Sequence, residues 1–562
     1  MYLNLLVKVP NAPGKLLFQK KAETTYVYYE IGRTYDPEKQ YTYPKRVVIG
    51  KMSKKDPEQM QPNENYLKFF PDEELPEKDV RELRSSCLKI GTYIVINKLA
   101  KDLGIPRVLG NYFSTKNLGL FMDLAAYSII EESNIAQYYP SYAYNHPLFT
   151  EGMHIYSDSK VSGFLNEITD EQSAGFLNEW NGGRSHREKI YISYDSTNKN
   201  CQAGDIEMAE FGNAKDDKGL PIFNYSIAYD TKNREPLFYE KYPGSINDVS
   251  QLQYALDKAS SYGYKNVGFI LDRGYFSKRN IGYMDERGYS FVIMAKGMAS
   301  FVKGLVDEVA GTFEKKRVHF VPEYQVYGIT VKKKLYMTDS RDRYFHIYYN
   351  SAKSSPEENA INTRLENMKK FLLKNVNKDR EFGPIYEKYF FLHHDEDTGV
   401  FVYPEEKTQV IDEELNHCGY FVIITSEKMT AKEAIELYKS RDSSEKLFRG
   451  DKTYLGDRSL RVYSDESAAS KIFIEFVALI IRCRMYTCLK DAVREMDKKP
   501  NYMNVPAAIR ELEKIEMVRQ LDGVYRLDHA VTATQKTILQ AFGINPEHIK
   551  YKAEYISNEL KK

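Results

Sequence analysis

The chain has 562 residues, with 80 lysines and arginines against 79 acids and a formal net charge of +1. That length leaves room for three or four domains, and the near-neutral balance gives no overall sign of the strongly basic surface common in nucleic-acid-binding domains. Cys87, Cys201, Cys418, Cys483 and Cys488 are scattered without a C-x-x-C pair, and no apolar run approaches the ~18 residues a membrane span needs, so disulfide frameworks, zinc ribbons and membrane proteins are excluded and a soluble cytoplasmic chain is expected.

Residues 1–56 read as a small β-rich basic unit. Thr25–Ile31 and Arg46–Gly50 are β-branched and aromatic runs, with Asp36-Pro37 as a turn between them. Residues 1–55 hold eleven lysines and arginines against Glu23, Glu30, Asp36 and Glu38, which suits either a solvated surface or a polyanion contact. Residues 57–77, punctuated by Pro62, Pro71 and Pro76, read as a linker. Residues 78–184 turn helical, with Leu118–Ala126 as a buried helix and one or two more over Val161–Trp180.

From residue 185 the pattern becomes strand and helix in alternation. Lys189–Tyr194 closes on Asp195-Ser196-Thr197, and Phe223–Tyr229 and Pro236–Glu240 follow as a meander. A helix over Val249–Tyr262 leads to Val267–Leu271, which closes on Asp272-Arg273-Gly274-Tyr275, and a helix over Lys278–Arg287 leads to Phe291–Met294. This alternation predicts parallel pairing within a mixed sheet over residues 185–298. Residues 299–426 read as a β-rich insertion, with strands at Tyr324–Val331, Leu335–Thr338, Tyr344–Tyr349, Tyr389–Leu392, Val400–Tyr403 and Tyr420–Thr425 and a helix near Pro356–Lys374. Its His393-His394-Asp395-Glu396-Asp397 run looks metal-like, but Thr398-Gly399 behind it makes a charged hairpin turn the better reading. Residues 427–495 return to the core and include a helix over Ala468–Leu489. Residues 496–562 are helical, with Ala507–Leu512 and Gln535–Phe542 as candidates for the core's edge or a dimer contact.

The chemistry concentrates in three places. Tyr438, Arg441, Glu445 and Lys452 follow the pattern Y-x2-R-x3-E-x6-K, which on one helix shares a broad face. Glu445 can hold a metal there, Arg441 and Lys452 can grip phosphates, and Tyr438 can stack on a base or its sugar. Alone, such a segment reads better as a solvated helix with i,i+4 ion pairs. Asp195 and Asp272 stand at the carboxyl ends of strands, where α/β sheets bind ligands, although each taken singly reads better as a cap or loop residue. Three hard oxygen ligands suit Mg²⁺ or Mn²⁺.

Asp-Ser-Thr at 195–197, Leu-Asp-Arg-Gly-Tyr-Phe at 271–276 and the Tyr438/Arg441/Glu445/Lys452 set together resemble the DDE transposases of bacterial insertion sequences. The last spacing is similar to that of the insertion-sequence-four superfamily, and the resemblance spans about residues 185–490. It implies an α/β fold with a ribonuclease H-like mixed-sheet core, interrupted by the β-rich insertion and preceded by the small β unit and the helical region, the latter a DNA end-binding region. It implies Asp195, Asp272 and Glu445 as catalytic metal ligands, and Tyr438, Arg441, Lys452 and Arg273 as contacts to DNA.

The activity it implies is an endonuclease and strand-transfer enzyme that cuts double-stranded DNA at terminal inverted repeats and joins the 3′ ends to target DNA. Two Mg²⁺ or Mn²⁺ ions ~4 Å apart would serve both steps. A homodimer on DNA would bring two ends together, in the bacterial cytoplasm and at the nucleoid when bound. The resemblance also implies a hairpin intermediate during excision and an insertion that contacts DNA. A nuclease or resolvase that cleaves without joining, and a domesticated non-catalytic DNA-binding relative, remain open. A glycosidase with paired acids is the outsider, because it leaves Arg441 and Lys452 no task.

Overall fold

A computed structural model describes residues 2, 6–54, 56–71, 84–184, 188–201, 206–214, 219–246, 248–295, 300–339, 341–442, 461–498, 500–520 and 524–560. The chain divides into two compact units, Met1–Ser85 and Ser86–Lys562.

The first unit is an antiparallel sheet of β1 (Val7–Lys8), β2 (Leu16–Lys21), β3 (Thr24–Asp36), β4 (Tyr41–Met52) and β5 (Gln59–Pro62), in the order β1-β5-β4-β3-β2. Val27, Ile49 and Met60 on one face pack with Tyr66 and Phe70, which a helix over Glu64–Phe69 and its C-cap bring beneath the sheet. Asn63 starts that helix by accepting from the amides of Asn65 and Tyr66. The two strands expected from sequence are here, but both run longer than the apolar runs that marked them. Beyond Tyr29 the sheet narrows to β3 and β4 alone.

In the second unit, helices over Gly91–Asp102, Ile105–Leu109, Thr115–Glu131, Tyr139–Asn145, Asp158–Glu167 and Asp170–Gly182 precede a large mixed sheet. Its strands are β7 (Ile190–Asn200), β8 (Ile222–Asp230), β9 (Glu235–Pro243), β10 (Val267–Leu271), β11 (Ser290–Met294), β12 (Phe320–Val321), β13 (Val326–Lys333), β14 (Arg343–Tyr349) and β17 (Tyr420–Thr425), in the order β12-β13-β14-β17-β11-β10-β7-β8-β9. β7, β10 and β11 run parallel and the remaining neighbours antiparallel. Every residue of β8 is buried, as a strand covered on both faces requires.

The helix over Asp170–Gly182 is stitched to β9. Trp180 Nε1 donates to the Pro236 carbonyl at 3.0 Å, and Asn181 donates to that of Leu237 at 2.9 Å. A long helix over Asp465–Arg494 is buried along most of its length, through residues such as Phe473, Phe476 and Ile480. Its Phe473 meets Phe121 and Phe176 of the N-terminal helices at centroid distances of 5.0 and 5.4 Å.

Three features differ from the sequence reading. β12, β13, β14 and β17 extend the core sheet instead of forming a sheet of the insertion's own. Outside the sheet this stretch holds a helix over Ser351–Leu373, a helix over Pro384–Tyr389, the hairpin of β15 (Phe390–His394) and β16 (Phe401–Glu406), and a helix over Thr408–Asn416. Leu335–Thr338 forms no strand. The C-terminal region, expected to be helical, also contributes β18 (Glu516–Arg519) and β19 (Tyr525–Leu527). They pair with β6 (Cys87–Lys89) in the order β19-β18-β6. Gly91 sits at this junction, where an added Cβ would stand 2.2 Å from the Leu512 carbonyl oxygen, so only glycine permits the approach. Among the described residues no helix is long and apolar enough to cross a membrane.

Candidate active site

The register of the parallel pair β7 and β10 builds the site. Val267 aligns with Ile190 and each following residue stays in step, ending with Leu271 opposite Tyr194. The next step on each strand is Asp272 and Asp195, on neighbouring strands ~4.8 Å apart. β10 stops there, whereas β7 continues to Asn200, held on its other side by β8. Asp195 therefore lies within its strand and not at its end. The end that sequence anticipated is the end of the β7–β10 pairing, and that opens the edge.

Local chemistry fixes both acids. Asp272 Oδ1 accepts from the Arg273 amide at 2.7 Å and caps the short turn Arg273–Tyr275. Asp195 Oδ1 accepts from the Ser196 amide at 2.9 Å. Tyr275, 3% exposed, packs its ring 5.7 Å from that of Tyr194 and so locks the turn against β7. Asp195 is half-buried and the Asp272 side chain is 40% exposed, which leaves the pair open to a ligand.

Arg441 arrives from the far side of the sheet order. The helix over Ala431–Lys439 opens with a Thr430–Glu433 capping box and packs Ala431, Ile435 and Tyr438 on Ile270, Val292 and Ile423. It ends at Lys439 with Ser440 as its C-cap, so Tyr438 and Arg441 do not share a helix as expected. The turn brings an Arg441 guanidinium nitrogen to 3.7 Å from Asp272 Oδ1, with the guanidinium carbon 5.3 Å from the Tyr438 ring centre.

Tyr438 itself is only 4% exposed. The ring packs in the core beneath the Arg441 guanidinium and is not presented to solvent as a stacking face. Glu445 and Lys452 lie outside the described residues. Among the described residues no three potential ligands come together. The two aspartates supply hard oxygen donors on one edge and fit part of a Mg²⁺ or Mn²⁺ site, which needs at least one further ligand.

Arg273 is exposed and pairs with no acid among the described residues. It borders a groove of about 560 Å³ lined also by Ala295, Lys303, Lys353, Lys388 and Tyr420. Lys353 and Lys388 are held by Glu357 and Glu414 at 3.1 and 2.7 Å. The His393–Asp397 run is a hairpin turn, as anticipated. His393 bonds Glu405 across the hairpin at 2.8 Å, and Asp395 Oδ1 accepts from the Thr398 amide at 2.8 Å.

Sequence reasoning missed one buried group beside the site. Lys199, four residues beyond Asp195 on β7, is fully buried and ion-paired with Glu475 of the helix over Asp465–Arg494. Asn134 donates to the other Glu475 oxygen at 2.5 Å. Lys471, one turn earlier, donates to the Arg461 carbonyl at 2.8 Å, and burial pushes its ammonium down to about 8. The only signal in the sequence was a lysine inside the strand run Asp195–Asn200.

Residues 192–481, a little over half the chain, match the family described as the transposase DDE domain. No curated protein matches the chain. Seven chains of solved structures match, among them the cryo-EM structure of a piggyBac transposase synaptic complex with hairpin DNA. That match has 8% identity and a TM-score of 0.31, and it covers 79% of this chain and 85% of that one. By the extent of the family match, which takes in both aspartates and Arg441, this chain belongs to the transposase DDE domain family.

Proposed function

We propose that the protein cleaves DNA at the terminal inverted repeats of an insertion sequence and joins the freed 3′ ends to target DNA. The observation that carries this is the in-step register that puts Asp195 and Asp272 side by side on one open sheet edge, with Arg441 reaching Asp272. The order of strands and helices supports a ribonuclease H-like core, and the Y-x2-R-x3-E-x6-K spacing supports membership of the insertion-sequence-four superfamily.

In this reading Asp195, Asp272 and Glu445 would hold two Mg²⁺ or Mn²⁺ ions, which when bound would supply activation of the attacking water or 3′ hydroxyl and offset charge at the leaving oxygen. Arg441, held by Tyr438, positions Asp272 and meets the phosphate near the cut. Arg273 and Lys452 grip the flanking backbone, and the cationic groove beside Arg273 gives that strand a path. No covalent protein–DNA intermediate is needed, so no serine or tyrosine nucleophile takes part. Two ends must meet, which requires a homodimer on DNA. The protein works in the bacterial cytoplasm, at the nucleoid when bound. Residues 185–298 and 427–495 hold the catalytic groups, and 299–426 adds four strands to the same sheet along with the inserted helices and hairpin, with 1–56, 57–77, 78–184 and 496–562 as accessory regions.

The test is Asp195→Asn, Asp272→Asn and Glu445→Gln, assayed on a labelled duplex carrying one element end with Mg²⁺. Folding and end binding persist in each variant, while nicking and joining of a pre-cut end both collapse. Near-normal nicking by one variant removes that residue from the site. Cleavage by the wild type without joining of a pre-cut end would make the protein a nuclease.

A further inference from the structure

The first unit carries a feature that its core does not explain. β2 pairs with β3 only over Thr24–Tyr29, and β5 pairs with β4 only over Gly50–Met52. Between those limits the rungs Gly32–Lys45, Arg33–Pro44, Thr34–Tyr43, Tyr35–Thr42 and Asp36–Tyr41 form a ribbon of two strands with no further neighbour among the described residues. At 3.4 Å per residue it extends ~17 Å past the sheet. An isolated two-stranded ribbon is marginal in water, and among the described residues no apolar layer lies beneath this one. Its turn is built, however: Asp36 Oδ1 accepts from the amides of Glu38 and Lys39 at 3.1 and 3.2 Å.

The ribbon is aromatic and exposed on both faces. Tyr35, Tyr41 and Tyr43 are 59, 53 and 40% exposed. By the pairing, Tyr41, Tyr43 and Lys45 share one face, with the two rings 6.2 Å apart, and Arg33 and Tyr35 share the other. The acids nearby are spent locally. Glu30 binds Arg33 and Arg46 at 3.1 and 3.6 Å, and Asp36 is committed to the turn and to Lys39 at 3.9 Å. Lys45 meets no acid among the described residues, and across β2 to β4 seven lysines and arginines face four acids.

We propose that this ribbon is a DNA-reading arm that enters the major groove of duplex DNA. That groove, ~12 Å wide, admits a two-stranded β-ribbon. An arm inside it meets both walls, which explains polar, cationic and aromatic side chains on both faces. A second copy of this chain would call for one continuous apolar face or an open strand edge. Pro44 removes a backbone donor from one edge and charges stud the ribbon, both of which discourage strand addition. Tyrosine hydroxyls, Thr34 and Thr42 supply donors and acceptors for base edges and phosphates, while Arg33 and Lys45 meet the backbone. The inference rests on the reading of the protein as a DNA transposase and assigns part of its end recognition to this arm.

The full-length protein tests it by titration with a random-sequence duplex and with a terminal-repeat duplex across a series of salt concentrations. Two variants are compared, Tyr35→Ser/Tyr41→Ser/Tyr43→Ser and Arg33→Gln/Lys45→Gln. All five positions lie away from the Val27–Ile49–Met60 core, so circular dichroism and thermal unfolding stay at wild type. The triple variant weakens terminal-repeat binding about tenfold, and the double variant lowers the salt slope by up to about two charges. Wild-type affinity in both variants, with the wild type binding DNA, overturns the arm alone. Intact affinity with a sedimentation shift toward monomer overturns it in favour of a contact between copies. Absence of DNA binding by the wild type and by Asp272→Asn alike overturns the transposase reading with it.

Discussion

Replacing Glu475 with alanine tests the buried charge balance behind β7, the strand that carries Asp195. The Glu475 side chain is 2% exposed and that of Lys199 is fully buried, so their ion pair is shielded from solvent and salt. Removing the carboxylate leaves Lys199 with its ion-pair partner gone and Lys471 one turn away without a counter-charge, at a cost of about 3–5 kcal/mol. It also takes the Asn134 amide's acceptor, a loss of about 1–3 kcal/mol. The two overlap, and about 4 kcal/mol is expected in total, a large share of the ~5–15 kcal/mol that separates folded from unfolded chains. Trp180 is the only tryptophan and is bonded to β9, so its fluorescence during urea unfolding reports this unit directly. Lys199→Met/Glu475→Leu removes both charges and recovers part of the loss, because apolar groups of similar volume often replace a buried pair well. A loss below about 1 kcal/mol in Glu475→Ala, or a double variant no more stable than the single one, would refute the reasoning.

Lys471 gives a pH signature. Its folded value of about 8 lies below its ordinary 10.5, so the burial penalty is fully present below about pH 8 and is relieved as pH rises toward 10.5. The stability of wild type relative to Lys471→Met then rises by about 3 kcal/mol as pH passes through that window, whatever the lost Arg461 carbonyl bond costs the variant, and urea titrations read the change. A constant difference would show that Lys471 does not titrate there. For Arg441→Ala and Lys452→Ala, end binding loses up to about one unit of salt slope each, and cleavage falls further than binding. Unaltered cleavage in both would leave the segment an ordinary charged surface.

The sequence made the parallel half of the sheet legible, because β7, β10 and β11 are β-branched and aromatic runs separated by helical periodicity. The register that aligns Asp195 with Asp272 was not legible. It follows from pairing along the whole of Ile190–Tyr194 with Val267–Leu271, which no local pattern encodes. The large sheet's antiparallel extension was misassigned for a similar reason. β13, β14 and β17 look like strands from sequence, but which sheet they join depends on partners some hundred residues apart in the chain. β18 and β6 are an extreme case, with Glu516 opposite Lys89. Their short runs, four and three residues, carry too little pattern to be read as strands before tertiary pairing selects them.

Tyr438 and Arg441 show how one spacing holds two meanings. Four residues of the motif invite a helical face pointed at DNA, yet the helix stops at Lys439, and burial separates what spacing had joined. Tyr438 points into the apolar layer with Ile270, the residue two before Asp272, and with Val292 of β11. Arg441, one turn later, reaches Asp272 itself. The aromatic and the cation thus address the same strand end from below and from beside. If the proposed site is right, a change at Tyr438 shifts the anchor of Arg441 and, through it, Asp272, so the tyrosine would act through packing and the arginine through charge.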